Sequence, residues 1–129
     1  MILFLIALGG AAGSVLRYLL GGRVQHFAPH GFPVGTFAVN VLGCLFIGVL
    51  ARVFLNMQTA GQWRALLMVG FCGGFTTFST FSIETVGLIE GGEYTRALTY
   101  IAGSVLLCIM ATFVGLAVGG TIAGAVHGR

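Results

Sequence analysis

The residues of this chain that could bind a solute are neutral hydrogen-bond donors placed inside long apolar runs. Asn40 is the one carboxamide within such a run, and five of the seven residues from 76 to 82 carry a hydroxyl group. Later in the chain, Tyr100, Ser104 and Thr112 are spaced by multiples of four residues and share one face of a helix. Since no carboxylate lies near the middle of these runs, this set of donors suits a small anion better than a cation.

Each of these side chains also has a purely structural explanation. Serine and threonine often bond back to their own helix, and asparagine often joins two membrane helices by a hydrogen bond. A stripe of phenylalanines is most often a packing surface, but Phe78 and Phe81 alternate here with Ser79 and Thr80. The positive edge of an aromatic ring can face an anion, so the mixture of rings and hydroxyls favours a binding function.

The composition places these residues in a membrane. Of the 129 residues, 57% are hydrophobic and 7% are charged, and the mean hydropathy is +1.04. We therefore predict an all-α integral membrane protein with residues 1–129 forming a single four-helix transmembrane domain. The first span carries Arg17 and has no basic segment before it, so we do not expect a cleaved signal. Spanning lengths of about 20 residues give four multi-pass segments in the lipid bilayer: 2–20, 34–55, 65–89 and 97–125.

The third of these spans is predicted to be broken. Its middle contains the glycine pair Gly73 and Gly74, followed by the run of hydroxyl residues. An interrupted helix leaves peptide groups without partners, and such groups persist in a bilayer only within protein or beside a wet pathway. Broken membrane helices commonly bind ions and small solutes, so the pattern indicates transport.

The distribution of arginines predicts how the chain assembles. With four spans, Arg17, Arg23 and Arg96 fall on one side of the membrane and the other three arginines on the opposite side. An even split gives no positive-inside bias, so copies could insert in both orientations. Four short helices also enclose a pathway poorly. We therefore expect an antiparallel, dual-topology homodimer, with the alternative that another signal fixes one orientation.

Other chemistries find little support. The three cysteines, Cys44, Cys72 and Cys108, share no metal-binding spacing and are interpreted as small packing residues. No nucleophile and base pair points to an enzyme. A proton-coupled exporter of organic cations would need a carboxylate within a span. Glu84 is expected at an exposed helix end and argues weakly for that exporter; the alternative is that Glu84 faces a vestibule or caps a hydrogen-bond network. A non-transporting assembly subunit is the other alternative.

Three blocks of the sequence carry a family resemblance. They are 9–18, GGAAGSVLRY, then 35–40, GTFAVN, and then 70–82, GFCGGFTTFSTFS. In order and spacing they extend over most of the chain, and the third block is highly specific. At these residues the chain resembles the Fluc, or CrcB, fluoride-channel family.

The resemblance implies a bacterial inner-membrane channel that exports fluoride passively through two pores of an antiparallel homodimer and so confers fluoride resistance. It implies no nucleic-acid partner. The fluoride pore would be lined by these residues: Asn40, Phe78, Phe81, Ser79, Thr80, Tyr100, Ser104 and Thr112. Arg17 would serve as a vestibule residue or an anchor. A structural Na⁺ would be held at the dimer centre by the backbone carbonyls of Gly73 and Thr76. Cys108 departs from the serine expected there.

Overall fold

Every secondary-structure element assigned in the described part of the chain is a helix. The computed structural model describes residues 1–28, 31–55 and 60–127. The third span consists of a helical turn at Gly61–Trp63, a π-helix at Arg64–Cys72 and a turn at Gly73–Phe75, which together form α3 (61–75). The remaining helices are α1 (Ile2–His26), α2 (Val34–Val53), α4 (Phe78–Glu90) and α5 (Tyr94–His127).

These helices confirm the prediction of a four-span membrane protein. Four segments of the described chain are long and apolar enough to cross a bilayer, with α3 and α4 together forming the third. The predicted bounds are wrong at α1, which continues to His26 rather than ending near residue 20. The extension is stabilised by Gln25, which donates to the Phe32 carbonyl at 2.9 Å and accepts from the Gly35 amide at 2.9 Å. Arg129, counted in the topology argument, lies outside the described residues.

Two extended residues separate α3 from α4. Thr76 has φ −91° and ψ 157°, and Thr77 has φ −150° and ψ 114°. Neither pair of angles is helical, so the hydrogen-bond ladder stops within the membrane-spanning segment. Thr77 then starts α4 as its N-cap, because its hydroxyl accepts from the Thr80 amide at 3.2 Å.

Glycines allow two pairs of helices to approach closely, α2 with α5 and α1 with α3. On α2, a Cβ at Gly48 would lie 2.4 Å from the Thr112 carbonyl oxygen, and on α5 a Cβ at Gly115 would lie 2.3 Å from that of Leu45. On α1, a Cβ at Gly9 would lie 2.0 Å from the Leu66 carbonyl oxygen of α3. Such distances are impossible for a real Cβ, so these backbones are in direct contact, as small residues permit in membranes.

Replacing Gly48 with alanine should destabilise the protein. The new methyl group would displace the backbone of α5, and overpacking of this kind typically costs about 1–3 kcal/mol. Thermal unfolding in detergent would measure the effect. Gly87→Ala on α4 is the matched control, since a Cβ there meets nothing within 4 Å. We expect this control to be neutral or stabilising. Equal unfolding temperatures for the two variants would show that the α2–α5 contact is not tight.

Candidate functional site

Asn40 replaces hydrogen bonds that the third span loses at its interruption. The Asn40 side-chain amide donates to the Thr77 carbonyl at 3.1 Å, and its oxygen accepts from the Thr77 amide at 2.8 Å. The two bonds pair one carboxamide with one extended residue. Asn40 therefore has the interhelical role that was one of its two predicted explanations. Because the amide group carries two N–H donors, one remains for another acceptor.

Arg17 and Ser14 of α1 donate hydrogen bonds to the Gly74 carbonyl, which precedes the two extended residues. In a continuous helix the Gly74 oxygen would accept from residue 78. Here it accepts from the Arg17 Nε at 3.1 Å and from the Ser14 hydroxyl at 3.4 Å. Arg17 thus anchors α1 to the interrupted helix, which is one of the two roles expected for it. A guanidinium has five N–H donors, so most of them are left for other partners.

The carbonyls of Gly73 and Thr76 have both lost their helical donors. The Thr77 amide, which would bond to Gly73, goes to Asn40. The Thr80 amide, which would bond to Thr76, goes to the Thr77 hydroxyl. Gly73 is exposed on the single chain and Thr76 is half-buried. The two carbonyls named for Na⁺ are therefore oxygen ligands near the protein surface whose usual partners are engaged elsewhere.

A cavity of about 690 Å³, here called the central groove, brings half of the predicted pore residues together. It runs between α2, α5 and the interruption of the third span. Asn40 and Ser104 line it from opposite helices, and the aromatic rings come from α4. The ring centroids of Phe78 and Phe81 are 5.4 Å apart. The predicted site residues in the groove are Asn40, Gly73, Thr76, Phe78, Phe81 and Ser104.

The Ser104 hydroxyl stands out within this groove. Ser104 is 7% exposed, and within the described part of the chain its Oγ is the buried side-chain polar atom without a hydrogen-bond partner. Leaving such a group unpaired costs about 1–3 kcal/mol. Ser104 does not bond back to its own helix, unlike Thr112, whose hydroxyl donates to the Cys108 carbonyl at 3.0 Å. Its free hydroxyl is therefore available to a solute in the groove.

A second cavity of about 550 Å³, here called the polar pocket, lies toward the ends of α1 and α2. Arg17, Thr36, Thr80 and Glu84 line it. Thr77 lines both cavities, so the interruption forms the boundary between them. The structure thus divides the predicted site, with Arg17 and Thr80 on one side of Thr77 and the aromatic rings on the other.

The expectation of an exposed Glu84 is wrong. Glu84 is half-buried in the middle of α4, where one carboxylate oxygen accepts from the Thr36 hydroxyl and the other from the Tyr100 hydroxyl, each at 2.7 Å. Tyr100 is fully buried, and its ring centroid is 5.0 Å from that of Phe81. Tyr100 therefore connects the polar pocket to the aromatic wall of the central groove.

Some residues of the site were not predicted from the sequence, and some predicted residues lie outside both cavities. Thr36 and Glu84 were not proposed as site residues, although Glu84 is the only carboxylate within the predicted span 65–89, which was a usable signal. Ser79, Tyr100 and Thr112 line neither cavity, and the Ser79 hydroxyl lies 3.2 Å from that of Thr77.

Comparison with known proteins identifies the chain's relatives. Residues 4–116 match the family model described as CrcB-like protein, Camphor Resistance (CrcB). Curated relatives named fluoride-specific ion channel FluC include one from Thermus thermophilus, 48% identical over 93% of this chain and 94% of its own. Another, from Rhizobium etli, is 50% identical over 89% of this chain and 93% of its own. One from Phocaeicola vulgatus is 48% identical over 88% and 94%.

The relatives are similar to this chain over most of its length. Identity near 48% over about nine-tenths of both chains leaves no room for a different fold, and the matched region contains both cavities and the interruption of the third span. The relatives are named as channels, and none of these names describes an enzyme. The chain belongs to the CrcB family.

Proposed function

We propose that this protein is a fluoride-selective ion channel that exports fluoride passively across the bacterial inner membrane and so confers fluoride resistance. The names of its relatives support fluoride as the transported ion. The observation that carries the proposal is the central groove, in which the unpaired Ser104 hydroxyl and the free Asn40 donor face aromatic rings. The function is transport and not catalysis.

The chemistry of the groove favours a small, strongly hydrated anion. Fluoride leaving water needs short hydrogen bonds, which the hydroxyl of Ser104 and the amide of Asn40 can donate. The edges of Phe78 and Phe81 add weak positive potential and limit the width. Neutral donors hold an anion loosely enough for release, which conduction requires. A larger halide makes longer hydrogen bonds and fits less well between the rings.

The polar pocket would be the vestibule of the same pathway. The remaining guanidinium donors of Arg17 offer positive charge at its wall. Thr80 at the wall of the pocket adds a hydroxyl to the set of donors. Tyr100 stays in the proposed pore as a prediction, since it lines neither cavity and its hydroxyl donates to Glu84. Ser79 and Thr112 stay in the proposed pore as predictions, since each carries a donor but lines neither cavity in the single chain.

We propose that the channel is an antiparallel, dual-topology homodimer with two pores, built from one four-helix domain of residues 1–129. In the single chain Phe78 is 78% exposed although it lines the groove. A second copy would cover this ring and close the open side of the groove. The even distribution of arginines supports opposite orientations of the two copies.

The dimer centre would hold a structural Na⁺. The carbonyls of Gly73 and Thr76 fit this ion, because both have lost their helical donors and Gly73 is exposed. Hard cations prefer oxygen ligands, and four such carbonyls from two copies would compensate for desolvation of the ion. When bound, the ion supplies a positive charge that joins the two interrupted helices.

A proton-coupled exporter remains the alternative function, and Glu84 is its only candidate among the carboxylates in the described spans. Both Glu84 oxygens already accept hydrogen bonds from hydroxyl groups, those of Thr36 and Tyr100, so the carboxylate is engaged within the protein. The names of the relatives also describe channels. This alternative would require fluoride release to depend on a proton gradient.

The proposed activity is tested with purified protein in liposomes. We expect fluoride to leave loaded vesicles down its gradient, whereas chloride should leave poorly, because the groove offers short hydrogen bonds and little width. Ion-selective electrodes measure both fluxes, with protein-free vesicles as the control. With a K⁺ carrier present to compensate the charge of the fluoride that leaves, clamping the pH on both sides with a proton carrier should leave the fluoride rate unchanged. Equal chloride and fluoride rates would refute selectivity, and proton dependence would favour the exporter.

Replacing Ser104 with alanine should slow fluoride release without destabilising the protein. The lost hydrogen bond contributes about 0.5–1.5 kcal/mol, which corresponds to roughly two- to tenfold in rate. Removing an unpaired buried hydroxyl should leave the unfolding temperature equal or higher. Ser82→Ala is the control, since the Ser82 hydroxyl bonds back to the Phe78 carbonyl at 2.8 Å, outside both cavities. Lower stability with unchanged flux in Ser104→Ala would assign Ser104 to packing.

Removing Na⁺ should destabilise the assembled protein. A ligand that binds only the folded state contributes about 2.7 kcal/mol at a concentration of ~100 Kd. We therefore expect the unfolding temperature to fall when Na⁺ is exchanged for the bulky cation N-methyl-D-glucamine at constant ionic strength. Exchange for K⁺ tests whether the effect is specific. Identical unfolding curves in all three cations would remove the Na⁺ proposal and leave the fluoride proposal intact.

A further inference from the structure

Three cysteines that are far apart in the sequence line the central groove. Cys44 of α2, Cys72 of α3 and Cys108 of α5 are all in its wall. Cys44 and Cys108 are half-buried, and their side chains are close enough to interact. Cys72 is only 2% exposed. All three were predicted to be packing residues, because their spacing in the sequence gave no reason to expect that they meet.

The packing of α2 against α5 explains why this pair forms. A Cβ at Gly103 would lie 3.6 Å from the Phe37 ring, and further along a Cβ at Gly48 would lie 2.4 Å from the Thr112 carbonyl oxygen. Residue numbers therefore increase together along the two helices, which run parallel. Cys44 comes one turn before Gly48, and Cys108 one turn before Thr112. The thiols thus face each other next to a tight backbone contact.

Two facing thiols without further ligands select a particular class of metal ion. Within residues 1–28, 31–55 and 60–127, no group of three or more His, Cys, Asp or Glu side chains could hold a metal ion. A tetrahedral zinc site, which uses four ligands, is therefore not available there. Soft thiolates bind soft cations, and d¹⁰ ions such as Cu⁺, Ag⁺ and Hg²⁺ accept two sulfur ligands.

We propose that Cys44 and Cys108 form a two-coordinate site for a soft cation, and that an ion bound there blocks the central groove. Binding forms two metal–sulfur bonds and releases one proton from each thiol to water, with no change of oxidation state. The bis-thiolate complex is neutral with Hg²⁺ and carries one negative charge with Cu⁺ or Ag⁺. Neither complex attracts an anion.

The position of the pair explains the block, and this part of the inference rests on the proposed function. Asn40 lies one turn before Cys44 on α2, and Ser104 lies one turn before Cys108 on α5. All four side chains line the same groove. The metal ion would thus be bound about one helical pitch, roughly 5.4 Å, from the donors proposed to bind fluoride. An anion bound to those donors could then not pass the metal ion in the groove.

Binding is tested on the purified protein in a chloride-free buffer with Hg²⁺ as the probe. Equilibrium dialysis against reduced glutathione, followed by metal analysis, measures how strongly each chain retains mercury. We expect one Hg²⁺ per chain in the wild type and in the control Cys72→Ser. Cys44→Ser and Cys108→Ser should each need roughly a hundredfold less glutathione to lose the metal, because the second thiol acts at high effective concentration. Equal retention in all four proteins would overturn the site.

The block is tested in the liposome assay with the same four proteins. Hg²⁺ at one ion per chain should abolish most fluoride release by the wild type and by Cys72→Ser, each relative to its own rate without mercury. Cys108→Ser and Cys44→Ser should keep most of their release. Mercury retention with unchanged flux would overturn the block. If no variant releases fluoride at all, the proposed function fails, whereas the dialysis result still decides whether the thiol site exists.

Discussion

The fold depends on how the peptide groups of an interrupted membrane helix are satisfied. Unpaired amides and carbonyls within a bilayer cost several kcal/mol each. Asn40 takes both peptide groups of Thr77, and Arg17 takes the Gly74 carbonyl. These partners come from α1 and α2, so the interruption holds three helices in one arrangement. The extended residues Thr76 and Thr77 persist because other elements supply the hydrogen bonds that the helix does not.

These hydrogen bonds leave two kinds of carbonyl group at the interruption. Some carbonyls accept from a new donor, and others have lost the amide that would be their donor in a helix. Gly74 and Thr77 have new partners for their carbonyls, whereas Gly73 and Thr76 have lost their helical donors to Asn40 and to the Thr77 hydroxyl. A site for a cation and a site for an anion can therefore lie next to each other. Gly73 and Thr76, whose carbonyls have lost their helical donors, line the same groove as the donors Asn40 and Ser104.

The sequence predicted the elements better than it predicted the contacts. Hydropathy located four spans, because long apolar runs with charged ends leave few alternatives in a bilayer. The glycine pair and the hydroxyls around Thr77 marked the region in which the backbone departs from helical angles. The end of α1 was placed too early, because the Gln25 bonds that extend it depend on tertiary contacts and leave no hydropathy signal.

The predictions failed where a residue's role depends on a partner far away in sequence. Glu84 was expected at an exposed helix end, but Thr36 and Tyr100 lie 48 and 16 residues from it and hold it half-buried. The pairing of Cys44 with Cys108 was equally hidden, since it follows from the close approach of two glycine-containing helices. Spacing within one helix shows which side chains share a face. It does not show which residues that face contacts. In this protein those contacts depend on the glycines that allow the helices to approach closely.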